Sequence, residues 1–203
     1  MIDLPALFGQ MDIYLFDQLL RSRITPGMTV LDAGCGRGRN LVFFLHEGYE
    51  VYAVDPDPDA IRAVQTLAGK LAPELPPTNF RAEPVESNSF PDQASHVVLS
   101  NAVLHFAHDV EHFEMMLRGS WRLVKPEGLF FCRLASSIGM ESRFQPLGGR
   151  RFHLPDGSER FLVDEPYLLE LTSRLGGELL DPLKTTIVQD RRCMTTWVMA
   201  KAG

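Results

Sequence analysis

The chain is poor in cysteine, in excess positive charge and in long apolar runs. Only three of its 203 residues are cysteines, Cys35, Cys132 and Cys193. They lie too far apart for a zinc pattern and are odd in number, a usage that suits a reducing cytoplasm. Acids outnumber bases 26 to 20, leaving a net charge of −6. That balance argues against nucleic acid as the default partner. No apolar run approaches the ~20 residues needed to span a bilayer, so no membrane partner is expected. The opening stretch MIDLPALFGQ carries an acid and a proline and has no basic segment leading into an apolar one. It does not read as a signal peptide. There is no internal repeat and no low-complexity tract.

What is present is a 45% hydrophobic content, enough for a sizeable core in one domain over residues 1–203. Strand-like and helix-like stretches alternate along the chain. TVLDAG reads as a strand and RNLVFFLHEG as a helix that stops at Gly48. YEVYAVD is a second strand, and PDAIRAVQTLAGKL a helix with Pro58 and acids at its start. A short strand near TNFRAE and a buried one at ASHVVLSN follow, then the amphipathic helix DVEHFEMMLRGSWRLV. KPEG is a turn and LFFCRLA a strand. Such alternation predicts a parallel sheet with helices on both faces. The segment from Ser136 to Arg160 is polar and rich in Gly, Pro and Arg, too long for an ordinary connection. A helix, DEPYLLELTSRLG, and two strands, GELLDPLKTTIV and CMTTWVMAKA, close the chain.

The stretch VLDAGCGRGRN carries the main chemical signal. Gly34, Gly36 and Gly38 alternate at the predicted carboxyl end of a strand, where parallel sheets bind ligands. Glycines there allow torsions and close approaches that a side chain blocks, and the next helix start offers free N–H groups. Asp55 ends the second strand and can accept from both hydroxyls of a ribose. Loop and acid together form a nucleoside-binding pair. The dinucleotide pattern G-x-G-x-x-G is absent, because the sixth position counted from Gly34 is Arg39.

The pattern G-x-G-x-G resembles the first motif of class I S-adenosylmethionine-dependent methyltransferases. VYAVDPDPDAI, FPDQASHVVLSNAVLHF and WRLVKPEGLFF resemble later motifs of that family, in order. GRN and VLHF are similar to its tellurite-resistance type. The resemblance implies a Rossmann-like, seven-stranded, mostly parallel α/β sheet whose last strand is antiparallel. It implies S-adenosyl-L-methionine as methyl donor, held by Asp32, Gly34, Cys35 and Gly36, by Asp55 and Pro56, and by Asn101. The acid that meets adenine N6 in the family falls on Pro84 here, so Glu83 or Glu86 takes that part. Pro84 has no N–H, which leaves the Val85 amide for adenine N1. Phe106 stands where a second His is common.

Methyl transfer from a sulfonium releases a neutral leaving group, so alignment supplies much of the rate, up to ~7–11 kcal/mol. A base is needed only where the acceptor loses a proton. His105, after the fourth strand, is the candidate catalytic group beside the departing methyl. His105, His108 and His112 are spaced to share a helical face, but no carboxylate spacing calls for a metal. Tyr14, on an N-terminal helix over residues 10–21, is expected to close the site. Arg150 and Arg151, in the insertion over 136–160, are expected to grip an anionic small-molecule acceptor. Two other classes remain open: a Rossmann-type oxidoreductase, and a non-catalytic module that binds the same nucleoside.

Overall fold

The computed structural model describes residues 3–203. Strand β1 is Thr29–Ala33, and all five of its residues are buried. A strand without a polar face must be covered on both sides, which a central parallel strand is. Parallel to it run β2 (Glu50–Val54) and β4 (Ser95–Asn101), with β3 (Phe80–Arg81) beyond β2 and β5 (Val124–Ala135) beyond β4. The late strand β11 (Arg192–Lys201) pairs antiparallel with β5 on one side and with β10 (Lys184–Val188) on the other. The path is β10-β11-β5-β4-β1-β2-β3, and the short β9 (Gly177–Leu179) also pairs with β11. The expected seven strands are therefore present, with the last antiparallel and an eighth short one added.

Alternate strand residues feed two cores. Val98 and Phe130 face a cluster with Phe113, Leu168 and Trp197. That side is covered by α5 (Val110–Trp121) and α6 (Glu165–Arg174). Val97 and Phe131 face the other cluster, with Leu15, Phe44 and Val64. Its cover is α2 (Ile13–Leu20), α3 (Val42–His46) and α4 (Pro58–Leu71). Among the described residues no helix is long and apolar enough to cross a membrane.

Several expectations need correction. The helix expected from Arg39 starts only at Val42. Before it, Gly38 N–H donates to the Cys35 carbonyl and Leu41 N–H to that of Gly38, so the chain spends its first residues in tight turns. Ahead of α2, α1 (Leu4–Phe8) is capped by Asp3 and starts with Pro5 in its first turn. Its Phe8 stacks on Phe43 at 4.9 Å. KPEG does not end a segment, because β5 runs through it with Glu127 at φ 61°. The expected strand GELLDPLKTTIV is split into β9 and β10 around Asp181 and Pro182. The insertion is not irregular: β6 (Gln145–Gly148), β7 (Arg151–His153) and β8 (Glu159–Phe161) form a separate antiparallel sheet.

Candidate active site

The carboxyl ends of β1, β2, β4 and β5 converge, and the site grows from β1. Gly34 and Cys35 both donate their N–H groups to the Val54 carbonyl, at 2.8 and 3.0 Å. The loop is thus folded onto the end of β2. Gly34 has φ 89°, and a side chain there would drive into Val103. Only glycine meets both demands. Gly36 N–H donates to Asp55 Oδ2 at 2.8 Å, and Asp57 N–H donates to Asp55 Oδ1 at 3.0 Å. A carboxylate has about four lone-pair sites, so each Asp55 oxygen keeps one for a ligand.

Around this loop lies a cavity of about 850 Å³. Gly34, Cys35, Gly36, Asp55, Pro56, Val85 and Asn101 line it, as do Gln10, Glu86 and His112. Most of the residues that the sequence assigns to the donor are therefore brought together. Asp32 and Glu83 are the exceptions; Asp32 lies fully buried behind the loop and does not line the cavity. Neither of its carboxylate oxygens has a partner, and neither does Asn101 Nδ2. Burial pushes the Asp32 carboxyl up to about 7, against the pull of Arg39 and with a push from Asp55. Burial likewise raises the Cys35 thiol far above its usual range, with Asp32 and Asp55 adding to it. Cys35 is a small core side chain there and no nucleophile.

Glu83 does not reach the cavity. Its carboxylate is tied to Ser89, which donates its N–H at 2.6 Å and its hydroxyl at 2.7 Å. Glu86 stands at the wall instead, 3.5 Å from His112 Nε2. Of the two acids, Glu86 is the one that lines the cavity. The turn that carries it, Val85–Ser87, rests on α5 at Gly119. A Cβ on Gly119 would collide with the Val85 carbonyl and stand 2.8 Å from Glu86 Cα.

A second cavity of about 260 Å³ adjoins the first, and Arg39 and Ala102 line both. Ala102 holds φ 64°, a strained torsion for a residue with a Cβ. His105 opens into this second cavity and not the first. Its ring is 6% exposed and its Nδ1 accepts from the Ala135 N–H at 3.1 Å. An Nδ1 that accepts carries no proton, so the neutral ring holds its proton on Nε2. Burial lowers the His105 pKa to about 4, with Arg160, Arg133 and Arg192 adding to the effect. His105 is consequently a hydrogen-bond donor toward the second cavity, and it does not line the first, where it was expected beside the departing methyl. His108 and His112 stack on each other at 4.6 Å and line the first cavity. Among the described residues no cluster of His, Cys, Asp or Glu could hold a metal ion.

Two further expectations are corrected. The Tyr14 hydroxyl is 2.6 Å from Thr186 Oγ1, and the residue lines neither cavity. It fastens α2 to β10. Arg150 donates to Asp164 at 2.9 Å and lies over the Tyr167 ring, and Arg151 donates to Glu159 at 3.0 Å. Both point into local pairs, and neither lines either of the two cavities. From the insertion it is Leu154, Asp156, Ser158 and Arg160 that do. The buried Asp12 also went unread. It caps α2, accepts from Arg133 at 3.2 Å, and its N–H donates to Asn40 at 3.1 Å. An acid just before the apolar helix IYLF is an N-cap signal.

The methyltransferase domain family matches residues 31–132, half of the chain. A ubiquinone biosynthesis O-methyltransferase of Methylocella silvestris is 32% identical over 117 residues, covering 56% of this chain and 43% of that protein. The uncharacterized methyltransferase YodH of Bacillus subtilis is 29% identical over 111 residues, 55% of this chain and 45% of that one. The chain thus matches less than half the length of these curated relatives. In fold, the 1,6-didemethyltoxoflavin-N1-methyltransferase of Burkholderia thailandensis, solved with S-adenosylhomocysteine, superposes with a TM-score of 0.71. It is 22% identical, and the match covers 99% of this chain and 82% of that one. The glycine loop tied to Asp55, the unpartnered buried groups behind it and the strand order all fit such a donor. The chain belongs to the class I S-adenosylmethionine-dependent methyltransferase family.

Proposed function

We propose that the protein transfers a methyl group from S-adenosylmethionine to a small molecule that enters through the second cavity. The observation that carries this is the pair of adjoining cavities sharing Arg39 and Ala102. One has the features of a nucleoside site, and the other is walled by the insertion. When bound, the donor supplies a sulfonium methyl whose displacement leaves a neutral thioether. Asp55 accepts from the ribose hydroxyls with its two remaining lone pairs. Glu86 accepts from the adenine amine, and the Val85 amide donates to the ring. Asn101 meets the amino acid end, with Asp32 buried behind the loop. Asn101 Oδ1 already accepts from Arg39 at 3.2 Å, which leaves its Nδ2 to donate. With His105 as a donor, the main work of these residues is to align the reactants. The insertion over 136–160, which contributes Leu154, Asp156, Ser158 and Arg160 to the second cavity, serves as the acceptor cover.

The test is incubation with methyl-labelled S-adenosylmethionine and a small-molecule extract. Label is expected in acid-soluble products. Label confined to protein or nucleic acid contradicts the acceptor class. Donor binding without any transfer points to a non-catalytic module.

A further inference from the structure

The second cavity carries an unusual set of charges for an acidic protein. Arg39, Arg133, Arg160 and Arg192 line it, against one acid, Asp156. Asp156 accepts at Oδ1 from Ser158, whose N–H lies at 2.9 Å and hydroxyl at 2.6 Å. Arg133 spends Nη1 on Asp12, while its buried Nε has no partner. Arg160 lies over the Phe106 ring at 4.8 Å and donates one N–H to the Glu159 carbonyl. His105 adds a neutral Nε2–H, because the Ala135 N–H occupies Nδ1. Every one of these groups except Asp156 and Ser158 is a donor only. Four guanidinium groups face two carboxylates here, Asp156 and the Asp12 that pairs with Arg133, an excess of positive charge that an anion offsets.

We propose that the second cavity binds an anionic oxyacid group of the methyl acceptor, a carboxylate or a phosphate, between Arg133, Arg160 and Arg192, with His105 donating to it. The inference rests on the donor reading above and adds the substrate class. Guanidinium groups bind such oxyanions bidentately, and fixed donors in a recess cut the cost of ordering. The neutral imidazole contributes direction rather than charge. A handle seated here holds the rest of the acceptor against Ala102, at the border with the donor cavity. The grip expected from Arg150 and Arg151 is thus transferred to other arginines, one of them in the same insertion.

The experiment follows the His105 ring nitrogens by NMR in histidine-labelled protein while inorganic phosphate or benzoate is added. Both titrations are done with and without saturating S-adenosylhomocysteine. A saturable shift at Nε2 is expected with at least one probe, and the tighter one identifies the class. In the double variant Arg160→Ala/Arg192→Ala the affinity for that probe should fall roughly tenfold or more, while S-adenosylhomocysteine binds as in the parent. No saturable shift with either probe overturns the proposal, and so does equal affinity in the folded double variant. Anion binding at His105 in a protein that does not take S-adenosylhomocysteine leaves this site standing and overturns the donor reading instead.

Discussion

Asp55 serves the loop and the ligand at once. It accepts from Gly36 and from Asp57, so its removal loosens the backbone as well as deleting the ribose acceptors. Asp55→Ala should weaken S-adenosylhomocysteine binding by about tenfold or more, since each charged hydrogen bond is worth roughly 1.5–3 kcal/mol. Unchanged affinity in a titration of the folded variant would reduce Asp55 to a helix cap. Asp32 makes a different prediction. Its folded pKa of about 7 lies above its ordinary 3.8, so the folded state holds the proton after the unfolded state has lost it. The carboxylate therefore destabilises the fold progressively as pH rises from about 4 to about 7, by up to roughly 4 kcal/mol. Asp32→Asn should unfold at a higher temperature than the parent at pH 8, with the gap closing toward pH 4, and should bind the donor more weakly. A gap that is constant with pH contradicts this. Most residues that line the larger cavity were legible because they sit at fixed offsets within short motifs. His105 was legible as a position but not in its role, because its tautomer is set by the Ala135 N–H, 30 residues away in sequence.

At the scale of elements, α5 and the Val85–Ser87 turn form a pair held at a glycine. Gly119→Ala should force the turn away from the helix and lower stability by about 1–3 kcal/mol. Because Glu86 and Val85 ride on that turn, donor affinity should fall as well. Thermal unfolding and calorimetry on the same variant check both effects, and a stable variant with parental affinity contradicts the account. The helix α4 was legible from end to end, since Pro58 and the Asp57 cap open it and its apolar face buries Ile61 and Val64. The sheet of β6, β7 and β8 was not, because its Gly and Pro content reads as loop. The register between strands is fixed by pairing such as Phe152 with Arg160, which no local pattern reveals. Arg150 and Arg151 were misjudged for the same reason. Pairing puts Arg151 opposite Phe161, where its side chain reaches Glu159, while Arg160 is the one that reaches the cavity.

For the molecule as a whole, the alternation of strands and helices was enough to give the layers, and the late antiparallel strand completes them. The order of strands brings four carboxyl ends to one rim, and the loops there make two adjoining cavities. Between the two cavities stand the strained Ala102 and the Arg39 side chain, a border that only the folded chain defines. The central claim is that the larger cavity is built for S-adenosylmethionine rather than for a dinucleotide. Isothermal titration of the protein with S-adenosylhomocysteine and, separately, with NAD tests it most directly. Saturable heat with S-adenosylhomocysteine and none with NAD is the predicted result. Saturable binding of NAD with no heat from S-adenosylhomocysteine would contradict it.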